Sequence, residues 1–264
     1  MQKRKYHDYD EYLVHQAEKS YSKDRKKRLT GGLSVVRTWI FRERFSILKQ
    51  KNAFREDSYG LCLGARYGEE VEALKTHCDA IGIDLVEDLP NVVSGDFHDI
   101  PFPEGHFDFV YTNSLDHGYD LEKIFIETAR VLKDNSYFCV DCCFDAYGKH
   151  ESIKINNMNE LILALPSNLK MIDCNGAWDT RGDIVREIIF QKVPDKTSEI
   201  QNTLITKWND FKEIYIEFNE KICCLMQRSS LEKQIELLVE TGEVTQDEIE
   251  SSYNKWKKLI IREI

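Results

Sequence analysis

From Tyr59 onward, short apolar runs alternate with amphipathic stretches. "GLCLG", "AIGIDL", "VVSGD", "FDFVYTN", "SYFCVDCCF", "KMIDCN" and "IVREIIFQK" are the apolar runs, bounded by Gly, Asn and Asp as buried strands are. Between them "EEVEALKTHC", "DLEKIFIETARVLK" and "MNELILAL" repeat at helical spacing. In the second of these, Leu121, Ile124, Phe125, Thr128 and Leu132 share one face. The alternation predicts an α/β chain: a seven-stranded, mostly parallel sheet flanked by helices. The last two strands are joined by a turn at "GAWDTRGD". Ligands of such sheets sit beyond the carboxyl ends of the strands.

The flanks read as helical additions. Residues 6–28 form a first helix ending in the basic "KDRKKR". "TGGLS" breaks it, and Ser34 caps a second helix that runs to about Lys51, with Val36, Trp39, Ile40 and Ile47 near helical spacing. After Pro194 the pattern is helical again, and "TQDE" from Thr245 to Glu248 has capping-box spacing. Three units result: a basic helical segment over residues 1–56, an α/β body over 57–194, and a helical appendage over 195–264 that covers the body or mediates self-association as a homodimer. The chain of 264 residues is long enough for one such body with additions.

Charge sharpens this division. Residues 1–56 carry 15 Lys and Arg against 7 Asp and Glu, a net +8, while the remainder is at −18. A basic head on an acidic body either attracts an anionic small molecule or docks the head on the body. The acidic body disfavours nucleic acid as a partner. No apolar run reaches membrane-spanning length, and "MQKRKYHDYDEYLVH" lacks the apolar core of a secretory signal, so a cytoplasmic setting without membrane contact is expected. The eight cysteines are scattered, which fits a reducing compartment. Cys139 and Cys142 are spaced C-x-x-C, but three positions along a strand put them on opposite faces, so no metal site is expected there.

The candidate chemistry begins at "YGLCLGARYGEEVEALK". Gly64 and Gly68 bracket a turn between the first strand and its helix. Gly64 lets a ligand approach the backbone, and Gly68 lets the helix start close to the sheet. Asp84 ends the second strand, twenty residues after Gly64, where a carboxylate can accept from both hydroxyls of a ribose. "GDFHDIPFPEGHFDFVYTNSLDH" follows, with Asp96 ending the third strand.

As a set, these features resemble the class I S-adenosylmethionine-dependent methyltransferases over about residues 57–193. The likeness rests on the glycine loop, the acidic end of strand two, the "GD" pair, the "PFPEGHFDFV" approach to strand four and the helix "IFIETARVLK" before strand five. An NAD-binding domain would instead show G-x-G-x-x-G. The resemblance implies a Rossmann-like fold and S-adenosylmethionine as cofactor. It places Gly64, Ala65 and Gly68 near the methionine part, Asp84 on the ribose and Leu85 against the adenine. Asp96 and Phe97 fall at the adenine edge, and Asn113 and Ser114 flank the sulfonium and amino group. Two positions depart from the family. Cys62 stands where an acid is common, and Arg66 where glycine is common. Arg66 is expected either to pair with the cofactor carboxylate or to turn to solvent, Glu69 or Glu70.

Methyl transfer from a sulfonium asks the protein mainly for alignment, and a hydroxyl acceptor also needs a base. "NSLDHGYD" follows strand four. His117 is the candidate base there, with Asp116 orienting it, acting itself or capping the next helix. Tyr9, Tyr12 and His15, at helical spacing in the first helix, either bind a polar acceptor or form that helix's docking face. The expected activity is methylation of a small polar acceptor, at an oxygen of a saccharide-type or phosphorylated metabolite. An RNA methyltransferase and a non-catalytic cofactor-binding subunit are the alternatives.

Overall fold

The computed structural model describes residues 1–21, 32–85, 91–144, 146–178 and 184–194. Strand β1 spans Gln2–Lys3, helix α1 Tyr9–Tyr21 and helix α2 Gly32–Gln50. The body runs β2 (Tyr59–Leu63), α3 (Glu69–Leu74), β3 (Asp79–Asp84), β4 (Val92–Ser94), β5 (Phe107–Thr112), α4 (Leu121–Val131) and β6 (Leu132–Cys143). It closes with β7 (Ile153–Lys154), α5 (Met158–Ile162), β8 (Leu169–Trp178) and β9 (Ile184–Lys192).

Seven strands form one sheet in the order β4-β3-β2-β5-β6-β9-β8. The pairs β2–β3, β2–β5, β3–β4 and β5–β6 are parallel. Only β9 runs against its neighbours, β6 and β8. The chain leaves β2 toward β3 and β4, then returns to add β5 on the other side. Strand order therefore reverses at β2 and β5, which opens a crevice beyond their carboxyl ends.

Period-two alternation fills both faces. Leu61, Leu63, Val110, Phe138 and Val140 point to the α4 side, where Leu121, Ile124 and Phe125 meet them. Cys62, Phe109, Tyr111 and Cys139 point the other way, against Phe41, Phe45 and Leu48 of α2 and Val71 and Leu74 of α3. Cys142 lies in the first layer and Cys139 in the second, opposite faces as the spacing predicts. Both are free thiols. All five residues of the predicted apolar face of α4 are buried: Leu121, Ile124, Phe125 and Thr128, with Leu132 just past the helix end.

Several boundaries differ from the sequence reading. Helix α2 begins at Gly32, so Ser34 lies inside the first turn rather than capping it. Helix α5 ends at Ile162, because Leu165 precedes Pro166 and is disfavoured in helix. Strand β8 continues through Gly176, Ala177 and Trp178, which pair with Arg186, Val185 and Ile184; the rest of the predicted turn, residues 179–183, lies outside the described residues. The cap of α4 is Asp120, whose carboxylate accepts from the amides of Glu122 and Lys123 at 3.1 and 3.4 Å, and not Asp116. "KDRKKR", the appendage over 195–264 and its "TQDE" box lie outside the described residues. Among the described residues no helix is long and apolar enough to cross a membrane.

Candidate functional site

The turn after β2 is built on three residues with positive φ: Gly64 at 69°, Arg66 at 47° and Gly68 at 79°. At Gly64 a Cβ would stand 2.9 Å from the Ser114 Cβ, so a side chain there would close the gap between the tips of β2 and β5. Arg66 takes a conformation that glycine adopts freely and that costs an L-residue roughly 1–2 kcal/mol. The turn is stitched to β3: the Ala65 amide donates to the Ile83 carbonyl, and the Arg66 amide donates to Asp84 Oδ2, both at 2.9 Å. Asp84 thus fixes the loop's shape from the neighbouring strand tip.

Beyond these tips lies a partly open cavity of about 40 Å³. Tyr12, Gln16, Gly64, Arg66, Asp84, Leu85, Gly95, Phe97, Ser114 and His117 form its wall. Eight of these were singled out in the sequence; Gln16 and Gly95 were not. Ala65, Gly68, Asp96, Asn113, Asp116, Tyr9 and His15 are not part of that wall. Gln16 follows Tyr12 by four residues, so helical period was the signal for it. His15, preferred for its chemistry, turns aside to Tyr6 and the Lys149 carbonyl.

The N-terminal segment covers this crevice. Its Met1 ammonium pairs with Glu160. Arg4 donates to the Glu151 and Gly148 carbonyls at 3.1 and 2.7 Å. Gln16 donates to the His150 carbonyl and Ser152 Oγ at 3.0 and 2.8 Å. On the far side, Tyr9 donates to Asp96 Oδ2. His98 is the hub of that contact. Its Nε2 accepts from the Tyr119 and Asp120 amides at 3.0 and 3.1 Å, so Nδ1 carries the proton. Nδ1 then donates to Asp96 Oδ1 at 2.7 Å, and the His98 amide adds a bond of 2.8 Å to the same oxygen. Burial works against the Asp96 charge, but these bonds from His98 and Tyr9 hold its carboxyl below the usual range. Asp96 therefore anchors α1, and its neighbours Gly95 and Phe97 face the cavity. The "H" two places after the "GD" pair was the available signal for His98.

A second group of acids flanks the loop on the α2 side. Glu69 and Glu70 are 2% and 3% exposed. Arg37 approaches them, with Nε 3.5 Å from Glu69 Oε1 and Nη2 3.6 Å from Glu70 Oε1. Asn113 Nδ2 donates to Glu70 Oε1 at 3.2 Å, while its own Oδ1 accepts from Ser114 Oγ at 3.1 Å. Burial and the neighbouring Glu69 charge push the Glu70 carboxyl up to about 7. The Cys62 thiol is held protonated by burial and by Glu70. Carboxylates thus stand near the Cys62 position, supplied by the helix rather than by the strand.

The reacting end is a turn of 3₁₀ helix, Leu115–His117, placed directly after β5. His117 Nδ1 lies 3.2 Å from the His150 carbonyl, which can only accept, so Nδ1 carries a proton. Nε2 is 3.7 Å from Asp116 Oδ1. The tight turn brings the two adjacent side chains together, as an extended chain would not. Glu151 joins them: one ligand atom from each of Asp116, His117 and Glu151 lies within 4.8 Å of the others. Glu151 is remote in sequence, which hid this grouping from the linear pattern.

Comparison with known proteins gives a family match over part of the chain and several similar structures. Residues 61–140 match the family described as a methyltransferase domain. The sarcosine/dimethylglycine N-methyltransferase of Halorhodospira halochloris is 31% identical over 115 residues, covering 36% of this chain and 40% of that protein. The match therefore spans less than half of the relative's length. Among solved structures, an S-adenosylmethionine-dependent methyltransferase from Methanosarcina mazei is similar at 15% identity, over 55% of this chain and 97% of that one, with a TM-score of 0.46. Another, from Aquifex aeolicus, is similar at 17% identity over 56% and 88%, with a TM-score of 0.46.

Residues 61–140 thus match a methyltransferase domain, and they lie within a seven-stranded, mostly parallel, Rossmann-like sheet. The cofactor this domain implies is S-adenosylmethionine, and the residues fit it. Asp84 and Leu85 stand on the cavity wall at the second strand tip, Gly64 leaves the backbone bare, and Tyr12, whose buried hydroxyl has no partner among the described residues, lines the same space.

Proposed function

We propose that the protein methylates a small polar acceptor at an oxygen, with His117 as the base that takes the acceptor's proton. The bound cofactor supplies an activated methyl group on sulfur. The chain's own residues do the rest: Asp84 and Leu85 hold the adenosine, the Gly64–Gly68 turn admits the amino-acid tail, and Ser114 and His117 border the place of reaction. The observation that carries the reading is the tautomer of His117. Its Nδ1 proton is committed to the His150 carbonyl, which leaves Nε2 as the basic nitrogen. Asp116 Oδ1, 3.7 Å away, stabilises the imidazolium once the proton has moved. The N-terminal segment over the crevice excludes bulk water and supports a small acceptor over a polymer; saccharide-type hydroxyls are the first class to test.

A small amine is the second reading. The Halorhodospira halochloris relative is named for sarcosine and dimethylglycine. The carboxylates of Asp116 and Glu151 beside His117 favour a neutral or cationic acceptor over a phosphorylated one. A panel of sugars, sugar phosphates and N-methylated glycines, followed by release of S-adenosylhomocysteine, separates the classes. With the acceptor so found, His117→Ala is expected to lower turnover about 10²- to 10⁴-fold while S-adenosylhomocysteine affinity stays within about twofold. Undiminished turnover would remove the base from His117.

A further inference from the structure

We infer that the Tyr12 hydroxyl is a cofactor ligand that binds the ribose together with Asp84, so that α1 belongs to the cofactor site and not only to the acceptor's enclosure. The inference rests on the cofactor reading above. Tyr12 is 0% exposed, and its hydroxyl has no hydrogen-bond partner among the described residues. A polar group left dry and unpaired destabilises the fold. Phenylalanine would avoid that cost and keep every ring contact: Tyr12 packs on Tyr6, Tyr9, His98 and Tyr119 with centroids 5.2–5.6 Å away.

The neighbouring phenols have no such deficit. Tyr9 donates to Asp96, and Tyr6 shares hydrogen bonds with His15 and Ser152 at 2.8 and 2.7 Å. Only Tyr12 among these three borders the cavity. Burial, the charges of Asp96 and Asp84 and the two other phenols keep it protonated, so it can donate. A donor that shares a wall with the Asp84 carboxylate suits a ligand group able to donate to one and accept from the other. A hydroxyl does both, and the vicinal diol of a ribose offers two.

The test is calorimetric titration of the full-length wild type and Tyr12→Phe with S-adenosylhomocysteine, and with 5′-methylthioadenosine, which keeps the adenosine and lacks the amino-acid tail. Thermal unfolding without ligand accompanies it. The expected result is about a 3- to 10-fold loss of affinity for both ligands, with the unliganded melting temperature unchanged or raised. Equal affinities in the two proteins would overturn the inference. So would a loss confined to S-adenosylhomocysteine, or one seen only in the acceptor's KM. A Tyr12→Phe protein that fails to fold would also contradict it, because a hydroxyl without a partner cannot be what holds the fold. If the wild type binds neither ligand, the cofactor reading itself falls.

Discussion

Glu70 shows how one buried side chain sets a pH dependence. Its neighbours are Glu69 on the same turn, Arg37 from α2, Arg66 from the loop, Asn113 after β5 and Cys62 on β2. Burial and Glu69 raise its carboxyl to about 7, above the value of 4.5 from which it starts. The folded state therefore binds this proton more tightly than the unfolded chain does. Stability from this group is greatest below the unfolded value, falls as pH rises through the interval and levels off above about 7. Glu70→Gln removes the titration, so its melting temperature is expected to drop less than the wild type's between pH 5 and 7.5. Parallel curves for the two proteins would contradict the assignment. The same cluster answers the question raised by Cys62: the strand lacks its usual acid, and the first turn of α3 brings two carboxylates to the vicinity.

At the scale of elements, α2 is held to the sheet by buried charge as well as by its aromatic residues. Arg44 Nη2 lies 2.9 Å from Asp141 Oδ2 of β6, and its Nη1 lies 3.3 Å from Glu187 Oε2 of β9. Lys51 Nζ adds a bond of 2.7 Å to Glu187 Oε1, and Tyr111 donates to Asp141 at 2.7 Å. Burial pushes the Asp141 carboxyl up to about 6 despite Arg44 and the Tyr111 hydroxyl. Arg44→Met takes the guanidinium from two buried carboxylates, leaving, among the described residues, Glu187 only Lys51 and Asp141 only the Tyr111 hydroxyl, and is expected to cost about 3–5 kcal/mol in urea unfolding. Adding Asp141→Asn should recover part of that loss, and an Arg44→Met protein as stable as the wild type would refute the network.

Strand and helix identities in the body were legible because burial imposes period two on a strand and a single apolar stripe on α4. Asp84 and the Gly64 turn could be placed because their function depends on local geometry at one strand end. The Tyr9–Asp96–His98 anchor, the Arg37–Glu70 pairing and the Asp116–His117–Glu151 grouping were not legible. Each joins residues far apart in the chain, and no local periodicity records a tertiary contact. Asp96 illustrates the gap: its place after the third strand pointed to the adenine edge, and nothing in the linear pattern announced the bonds its carboxylate makes with His98 and Tyr9.

Over the whole molecule, strand order, loop and roof converge on one crevice. The sheet reverses direction beside β2, the glycine turn exposes backbone there, and α1 is tied across the opening by Tyr9 on one side and Gln16 on the other. Alignment of a methyl donor and an acceptor in such an enclosure can supply roughly 7–11 kcal/mol of rate acceleration. All of this depends on an adenosine seated against the tip of β3. The most direct measurement is calorimetric titration of the full-length protein and of Asp84→Ala with S-adenosylhomocysteine. One molecule bound per chain is expected, with affinity falling at least about tenfold in the variant, since a charge-assisted hydrogen bond contributes about 1.5–3 kcal/mol. No binding to the folded wild type, or equal binding by both proteins, would contradict it.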